Sequence, residues 1–443
     1  MAVRKTRTAL IFALILSLIN GCGSAAGERG GDASGASPVQ PSVRVLRIEQ
    51  EGQLIYEGDL DALDGELRFT GSAGEYVAEA RDGKVRMLSA QCPDKLCMKQ
   101  GWAEHVYEPI ICLPQQVVIS VTEEKTGPLI AFSDQRFLLD TIISITVYSA
   151  GEAEAGAALD GAFAEFERVH RLATRYGNEQ GAGESEVEKI NAAAGQAAVT
   201  VSEDISLMLS KALSYTEDSE DTFRVGIGPL VDLWGIGSGG VEAPATAEIE
   251  AVLPLLVTEK ISFDPGASSV MLMEPSMSLD LGGIAKGYAT DLAADVLRER
   301  GIKHALINAG GNVYALGSKP DGAPWRVGIR DPRREGEIIG VVEAADEAVV
   351  SSGDYERYFE ADGVRYHHIF DPRTGYPAGA ARQSTIIAPR SLDADILSTV
   401  TFILGWEKSE VLLEKYGFSG VYVDAQGVVS VCGDDGSVSL LGD

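Results

Sequence analysis

Apolar residues recur along this chain with two periods, close to two and close to four, and each marks a different kind of element. Alternation around Val43, Val45 and Ile48, and again across 118–122, with frequent turns between, predicts a small β domain over residues 43–124. A polar hinge at 123–128 closes it. Beyond the hinge the period changes. A strand over Thr141–Tyr148 leads into a helix from Glu154 to about Thr174, where Ala158, Phe163, Phe166, Val169 and Leu172 form one stripe and read as core. Residues 177–185 read as an exposed loop, and Ser202 as the cap of a second helix. The apolar stretch Val270–Leu279 enters a third helix, marked by Ile284, Tyr288, Leu292 and Val296. Strands are predicted near 305–308, 325–329, 339–343 and 384–388. Regular βαβ spacing is absent, so the pattern predicts mixed α+β layers over 131–443, not a doubly wound nucleotide fold.

The amino terminus has a pattern of its own. Arg4, Lys5 and Arg7 precede an apolar run from Ala9 to Ile19 that is too short to span a bilayer, and Asn20-Gly21-Cys22 follows. Residues 1–21 therefore read as a signal peptide. Cys22 after a small residue resembles the bacterial lipoprotein box, with the thiol acylated; ordinary cleavage leaving an unmodified cysteine is the alternative. Residues 22–42 are Gly, Ser, Ala and Pro with scattered charges, a flexible tether whose reach is about 25 Å at ~5–6 Å times the square root of length. The expectation is an extracytoplasmic protein held at the membrane by lipid.

With 443 residues and 45% hydrophobic content the chain can build two cores. Its net charge of −29 becomes −32 once Arg4, Lys5 and Arg7 leave with the signal peptide, which argues against nucleic acid and anionic lipid headgroups as partners. Screening over about 8 Å confines that field, so a local cationic cluster can still bind an anion.

Three blocks carry chemistry. Asp280 to Tyr288 (DLGGIAKGY) stands at a helix start: glycines allow close backbone approach, first-turn N–H groups point at a ligand, and Lys286 adds charge, which suits a phosphate. A tight turn with a surface lysine reads the same way. Asp395 and Thr399 are four apart, so their oxygens share a helix face and suit a hard cation such as magnesium. The alternative is a helix start capped by Ser391, with Asp393 and Asp395 answering the dipole. The third block pairs His367 and His368 with Asp371 ahead of a turn at Pro372, Gly375 and Pro377. Adjacent histidines in a strand face opposite sides, so at most one serves a site.

The segments IGPLVDLWGIG (227–237), LDLGGIAKGYATD (279–291), ALINAGGNVYALG (305–317), SSGDYERYF (351–359) and HHIFDPRTGYP (367–377) resemble the ApbE family from about Phe132 to Gly433. That resemblance implies an FAD:protein FMN transferase, which takes FAD, uses Mg2+, and attaches FMN through a phosphoester to a threonine or serine of a partner flavoprotein of the membrane or extracytoplasmic electron-transport type. Carried over by position, it implies FAD contacts at Leu139, Tyr176, Thr222, Phe223, Arg224, Asp280, Lys286 and Ile369. It implies magnesium ligands at Gly283, Asp395 and Thr399. His368 is the candidate acid or base. Leu139-Asp140-Thr141 stands where many members read Met-Gly-Thr, and Arg224 and Gly226 replace a more usual Asp and Thr. The rival expectations are FAD hydrolysis to FMN and AMP in the same site, and a flavin-binding lipoprotein without chemistry.

The block CPDKLCMKQGW with IICLP, in the small domain, resembles NusG domain II. Cys92, Cys97 and Cys112 there, with His105, could hold zinc; export favours a Cys92–Cys97 or Cys97–Cys112 bridge instead.

Overall fold

The computed structural model describes residues 42–441, apart from 52, 72–73, 93–94, 107, 113–115, 126–127, 178–183, 238, 241 and 434–435. The expected signal peptide, Cys22 and nearly all of the tether lie outside the described residues, as does most of the expected loop at 177–185.

The small domain is all β where it was expected to be. Strands β1 (Ser42–Gln50), β2 (Gln53–Asp59), β6 (Ile110–Cys112) and β7 (Val117–Lys125) form one antiparallel sheet in the order β2-β1-β7-β6. A second sheet joins β3 (Gly65–Gly71), β4 (Gly74–Arg81) and β5 (Lys84–Ser89). Leu46, Ile48, Val117, Ile119, Tyr76, Ala78 and Val85, spaced by two within their strands, fill the core between them.

The large domain is built on eight strands: β8 (Ile130–Leu138), β9 (Thr141–Ser149), β10 (Ala305–Ala309), β11 (Asn312–Leu316), β12 (Glu347–Gly353), β13 (Ala381–Ala388), β14 (Ser419–Asp424) and β15 (Val429–Cys432). They pair in strict chain order and every pair is antiparallel. A parallel nucleotide-binding sheet is thus absent among the described residues, as the missing βαβ spacing predicted. Successive residues leave the sheet on opposite sides: Val350 and Ile386 join the main core, and Val349 and Ile387 join a second one.

The main core lies under helices α1 (Glu152–Ala173), α2 (Glu203–Asp218), α3 (Ala285–Glu299) and α4 (Ser391–Leu404). Phe163, Phe166 and Val169 of α1 are fully buried there, as the stripe required. The Ser202 side chain caps α2 by accepting the Ile205 N–H. On the far face the second core includes Trp325, Val327, Ile329 and Val342 from strands Trp325–Arg330 and Ile338–Ala344. The result is helices, sheet, small sheet: layered α+β.

The apolar stretch Val270–Leu279 is a strand only at its beginning. The strand before α3 is only Ser269–Leu272, and 273–284 is an irregular segment. Asn191 holds that segment at both polar groups of Leu279, accepting its N–H at 2.7 Å and donating to its carbonyl at 3.1 Å. Such backbone pairing lets a non-repetitive stretch run through the interior.

Candidate functional site

The ends of α1, α3 and β12, the β8–β9 turn and the segment 368–370 surround a cavity of about 450 Å³, within the range of small-molecule sites. Its walls include Leu139, Tyr176, Thr222, Phe223, Arg224 and Asp280, together with Gly283, Lys286, His368, Ile369, Asp395 and Thr399. Residues up to 260 positions apart in the chain thus converge, and every expected ligand-binding or catalytic position within the described residues lies on this one surface.

Asp395 is the most buried of its charges, with 4% of its surface exposed. One carboxylate oxygen accepts the Gly287 N–H at 2.9 Å and the other faces the Lys286 ammonium at 3.5 Å. Burial nevertheless pushes its carboxyl above the ordinary value, against the Lys286 charge and the Gly287 N–H. Such a carboxylate gains from further positive charge. Thr399, one turn on, has its hydroxyl 3.5 Å from that of Ser352. Helices α3 and α4 approach closely because residue 287 is glycine: a Cβ there would lie 2.5 Å from the Ser391 carbonyl oxygen and 2.7 Å from Asp395 Cβ. The last glycine of the motif therefore positions Asp395, while the pair before it gives room to its own neighbours, Asp280 Oδ1 at 2.9 Å from a Cβ on Gly282 and the Phe223 ring at 3.1 Å from one on Gly283.

The start of α4 corrects the Ser391 cap. The Ser391 hydroxyl donates to Asn312 at 2.5 Å, and the orphan N–H groups of Ser391 and Leu392 go to the carboxylate of Asp291, at 2.8 and 3.0 Å. Asp393 turns away, accepting from the Tyr215 hydroxyl and Lys211. Asp291 closes the block LDLGGIAKGYATD, so one motif supplies Lys286 and also clamps the helix that carries Asp395 and Thr399.

Burial raises the Asp291 carboxyl to about 6, with Arg390 opposing. A folded pKa above the unfolded one gives stability that is present below about pH 4 and lost as pH rises through 6, at roughly 1.4 kcal/mol for each tenfold difference in proton affinity between the folded and unfolded chain. Between pH 4 and 6 the melting temperature of the native protein should therefore fall more steeply than that of Asp291→Asn. Parallel curves in calorimetry would show that Asp291 does not carry this linkage.

Asp280 is held by a residue the sequence did not single out. Arg175, nearly buried just past α1, donates to Asp280 at 3.2 Å, to Asp232 at 2.6 Å and to the Gly228 carbonyl at 3.2 Å. The other Asp280 oxygen accepts the Gly282 N–H at 2.8 Å. Tyr176 stands at the mouth, 61% exposed, with the Arg175 guanidinium 5.2 Å from its ring. An arginine at the end of a helix reads from sequence as a dipole partner; only the fold brings it to Asp280.

Thr222 is not an open donor, since its hydroxyl bonds the Ser219 carbonyl at 2.9 Å. Arg224 is paired with Asp221 and donates to the Pro372 carbonyl at 3.3 Å, leaving less of its charge for a ligand than an unengaged arginine would offer. Phe223 backs the glycine turn: a Cβ on Gly283 would meet its ring at 3.1 Å. Leu139 and Asp140 form the two-residue β8–β9 turn, both with positive φ, +51° and +58°. That conformation suits aspartate better than leucine, so Leu139 is the less comfortable of the two.

The two histidines face different surroundings, although the strand Val364–His367 ends before His368 and strand alternation is therefore not the cause. His367 is buried, bonded through Nε2 to the Ala378 carbonyl and set edge-on to Phe402. His368 lines the cavity with Nδ1 against the Arg357 carbonyl at 3.3 Å, so Nδ1 carries the proton and Nε2 is left as an acceptor. Burial, then the charge of Arg357, lowers its pKa to about 3. The expected pairing with Asp371 is not formed, because Arg373 takes both Asp371 oxygens at 2.8 Å. Ile369 packs beside it, buried.

None of the three cysteines of the small domain is in a disulfide, so neither expected bridge is present. His105 is exposed and beside Glu104, away from any metal set.

Fold and cavity together define a layered α+β protein with a small-molecule site of mixed charge at the edge of its helices. Residues 139–433 match the ApbE family and residues 11–125 match NusG domain II; the chain belongs to the ApbE family. It is 41% identical over 283 residues to an FAD:protein FMN transferase of Klebsiella pneumoniae, covering 62% of this chain and 84% of that one. To the enzyme of the same name from Treponema pallidum it is 36% identical over 301 residues, 64% and 82% of the two chains. The crystal structure of the ApbE protein from Thermotoga maritima superposes with a TM-score of 0.63 at 32% identity, over 68% of this chain and 97% of that one.

Proposed function

We propose that this chain is an FAD:protein FMN transferase that moves FMN from FAD to a threonine or serine hydroxyl of a partner flavoprotein and releases AMP. The observation that carries the reading is the buried Asp395 carboxylate facing Lys286 across α3 and α4, in a cavity that also holds Asp280, Thr399 and His368.

The donors fit a hard cation. The Asp395 carboxylate, the Thr399 hydroxyl and the Gly283 carbonyl would hold Mg2+, which when bound neutralises the diphosphate and the charge developing on it. The chain's own groups do the rest. Lys286 and the first-turn N–H groups of α3 attract the diphosphate, and the exposed ring of Tyr176 offers a face for the isoalloxazine at the mouth. The acceptor hydroxyl attacks the FMN phosphorus in line, the bond to the AMP oxygen breaks, and the hydroxyl proton passes to Nε2 of His368. An anion beside His368 raises the low pKa that burial imposes, so the base strengthens as substrate binds.

The deciding experiment incubates the protein with FAD, magnesium and a candidate acceptor domain, then weighs the acceptor. A gain of one FMN less one water is expected; free FMN and AMP with an unchanged acceptor would make hydrolysis the activity. Lys286→Met should weaken FAD binding about ten- to a hundredfold, since a charge-assisted hydrogen bond is worth ~1.5–3 kcal/mol. Calorimetric titration with unaltered affinity would remove Lys286 from the diphosphate site.

The location belongs to the same proposal. Acylation of Cys22 would anchor the enzyme outside the cytoplasmic membrane, within tether reach of a membrane flavoprotein. Cys22→Ser should move the protein from the membrane to the soluble fraction, and continued retention there would point to another anchor. Among the described residues no helix is long and apolar enough to cross a membrane.

A further inference from the structure

The small domain contains a second cluster of ligating groups that flavin transfer does not use. Cys92 follows β5, Cys97 lies on the helical turn Leu96–Lys99, and Cys112 ends β6. Their sulfurs all lie within 4.8 Å of one another, with Cys92 and Cys97 3.5 Å apart, and the three residues are 1–3% exposed. A five-residue offset is wide for a ligand loop, but the turn at 96–99 folds Cys97 back toward Cys92.

A second observation points the same way. Tyr76 on β4 is fully buried, its ring stacked on Phe69, and its hydroxyl has no hydrogen-bond partner. Tyr76 belongs to the same buried core cluster as the three cysteines, so its orphan hydroxyl is enclosed with them. An unsatisfied buried hydroxyl calls for an explanation.

We propose that Cys92, Cys97 and Cys112 bind one thiophilic closed-shell metal ion, Zn(II) or Cu(I), with the Tyr76 hydroxyl as the fourth polar group of the site. Sulfurs each about 2.3 Å from one ion are roughly 3.8–4.0 Å apart, so changes in spacing of up to about an ångström close the present cluster onto it. Thiolate ligands select these ions over magnesium. Binding replaces three S–H protons, which are released. A Cys92–Cys97 disulfide would consume two sulfurs and leave the Tyr76 hydroxyl without a partner. The ion would tie the loop after β5 to β6, joining the two small sheets.

The test uses the full-length protein in detergent, reduced and stripped of metal without oxygen, with excess magnesium present to occupy carboxylate sites. It is titrated separately with Zn(II) and Cu(I) against chromophoric chelators, and its thiols are then alkylated and counted by mass. The expected result is one ion per chain, three protected thiols, and X-ray absorption showing three sulfurs at about 2.3 Å. Cys112→Ser should lose more than the roughly 10–100-fold typical of an outer-shell change. Tyr76→Phe should weaken Zn(II), which takes a fourth ligand, and spare Cu(I), which is satisfied by three sulfurs. Neither ion binding, with all three thiols alkylated in folded native protein, overturns the proposal. So does a native Cys92–Cys97 disulfide that gives no metal binding after reduction. Both readouts come from the unmutated protein, so they stand even where a cysteine variant misfolds.

Discussion

Asp395→Ala should reduce FMN transfer by about three orders of magnitude or more at saturating FAD and magnesium, several kcal/mol at 1.36 kcal/mol per tenfold. The size follows from what the residue holds. Its carboxylate meets Lys286 at 3.5 Å and the Gly287 N–H at 2.9 Å, and burial holds its pKa above the ordinary value, so any added cation is strongly favoured there. Asp395→Asn keeps the shape and an acceptor for Gly287 while removing the charge; it should lose nearly as much activity and retain the melting temperature of the native protein. Chelation should silence the native enzyme, and magnesium should restore it but neither variant. Full transfer by Asp395→Ala in chelator would sink the metal assignment.

How much of this was legible beforehand depended on whether the relevant contact is local. The stripe of α1, the Ser202 cap and the alternation of β9 are set by neighbours within a few residues, and periodicity reports such contacts directly. The missing βαβ spacing agrees with the large sheet, which is antiparallel throughout among the described residues. Asp291 is different. It caps a helix starting 100 residues later, and from sequence it was one more acidic residue on α3, while Ser391 was the obvious local cap. Arg175 reaches Asp280 across 105 residues and was invisible for the same reason.

Family resemblance fills part of that gap, because it carries tertiary information that periodicity lacks. It placed positions from Leu139 to Thr399 on one surface, where the cavity has them. It could not show what each side chain is already bound to. Thr222 and Arg224 reach the cavity with partners of their own, and Asp371 is taken by Arg373, so matching a motif position does not establish an available ligand. The cysteines differ from expectation in the opposite direction: export argued for a bridge, and the turn at 96–99 brings three unbridged sulfurs together.

His368→Ala should slow transfer by about 10²–10⁴, the usual scale for losing a general acid or base, while FAD affinity stays within a few fold of native. The split between rate and affinity follows from the geometry. Nδ1 is engaged with the Arg357 carbonyl, which leaves Nε2 as the acceptor, and a neutral imidazole adds little attraction for a diphosphate. With its pKa held near 3 the free enzyme's imidazole remains neutral through the physiological range, so kcat/KM should not fall at pH 6 on account of this group. In the FAD complex the neighbouring anion raises that pKa, and kcat should decline at a higher pH than kcat/KM does. His368→Ala should remove that difference between the two profiles. A variant that lost FAD binding but kept its turnover at saturation would make the histidine a ligand contact and move the proton acceptor to the carboxylates, of which Asp280, fixed by Arg175 and the Gly282 N–H, stands in the same cavity wall.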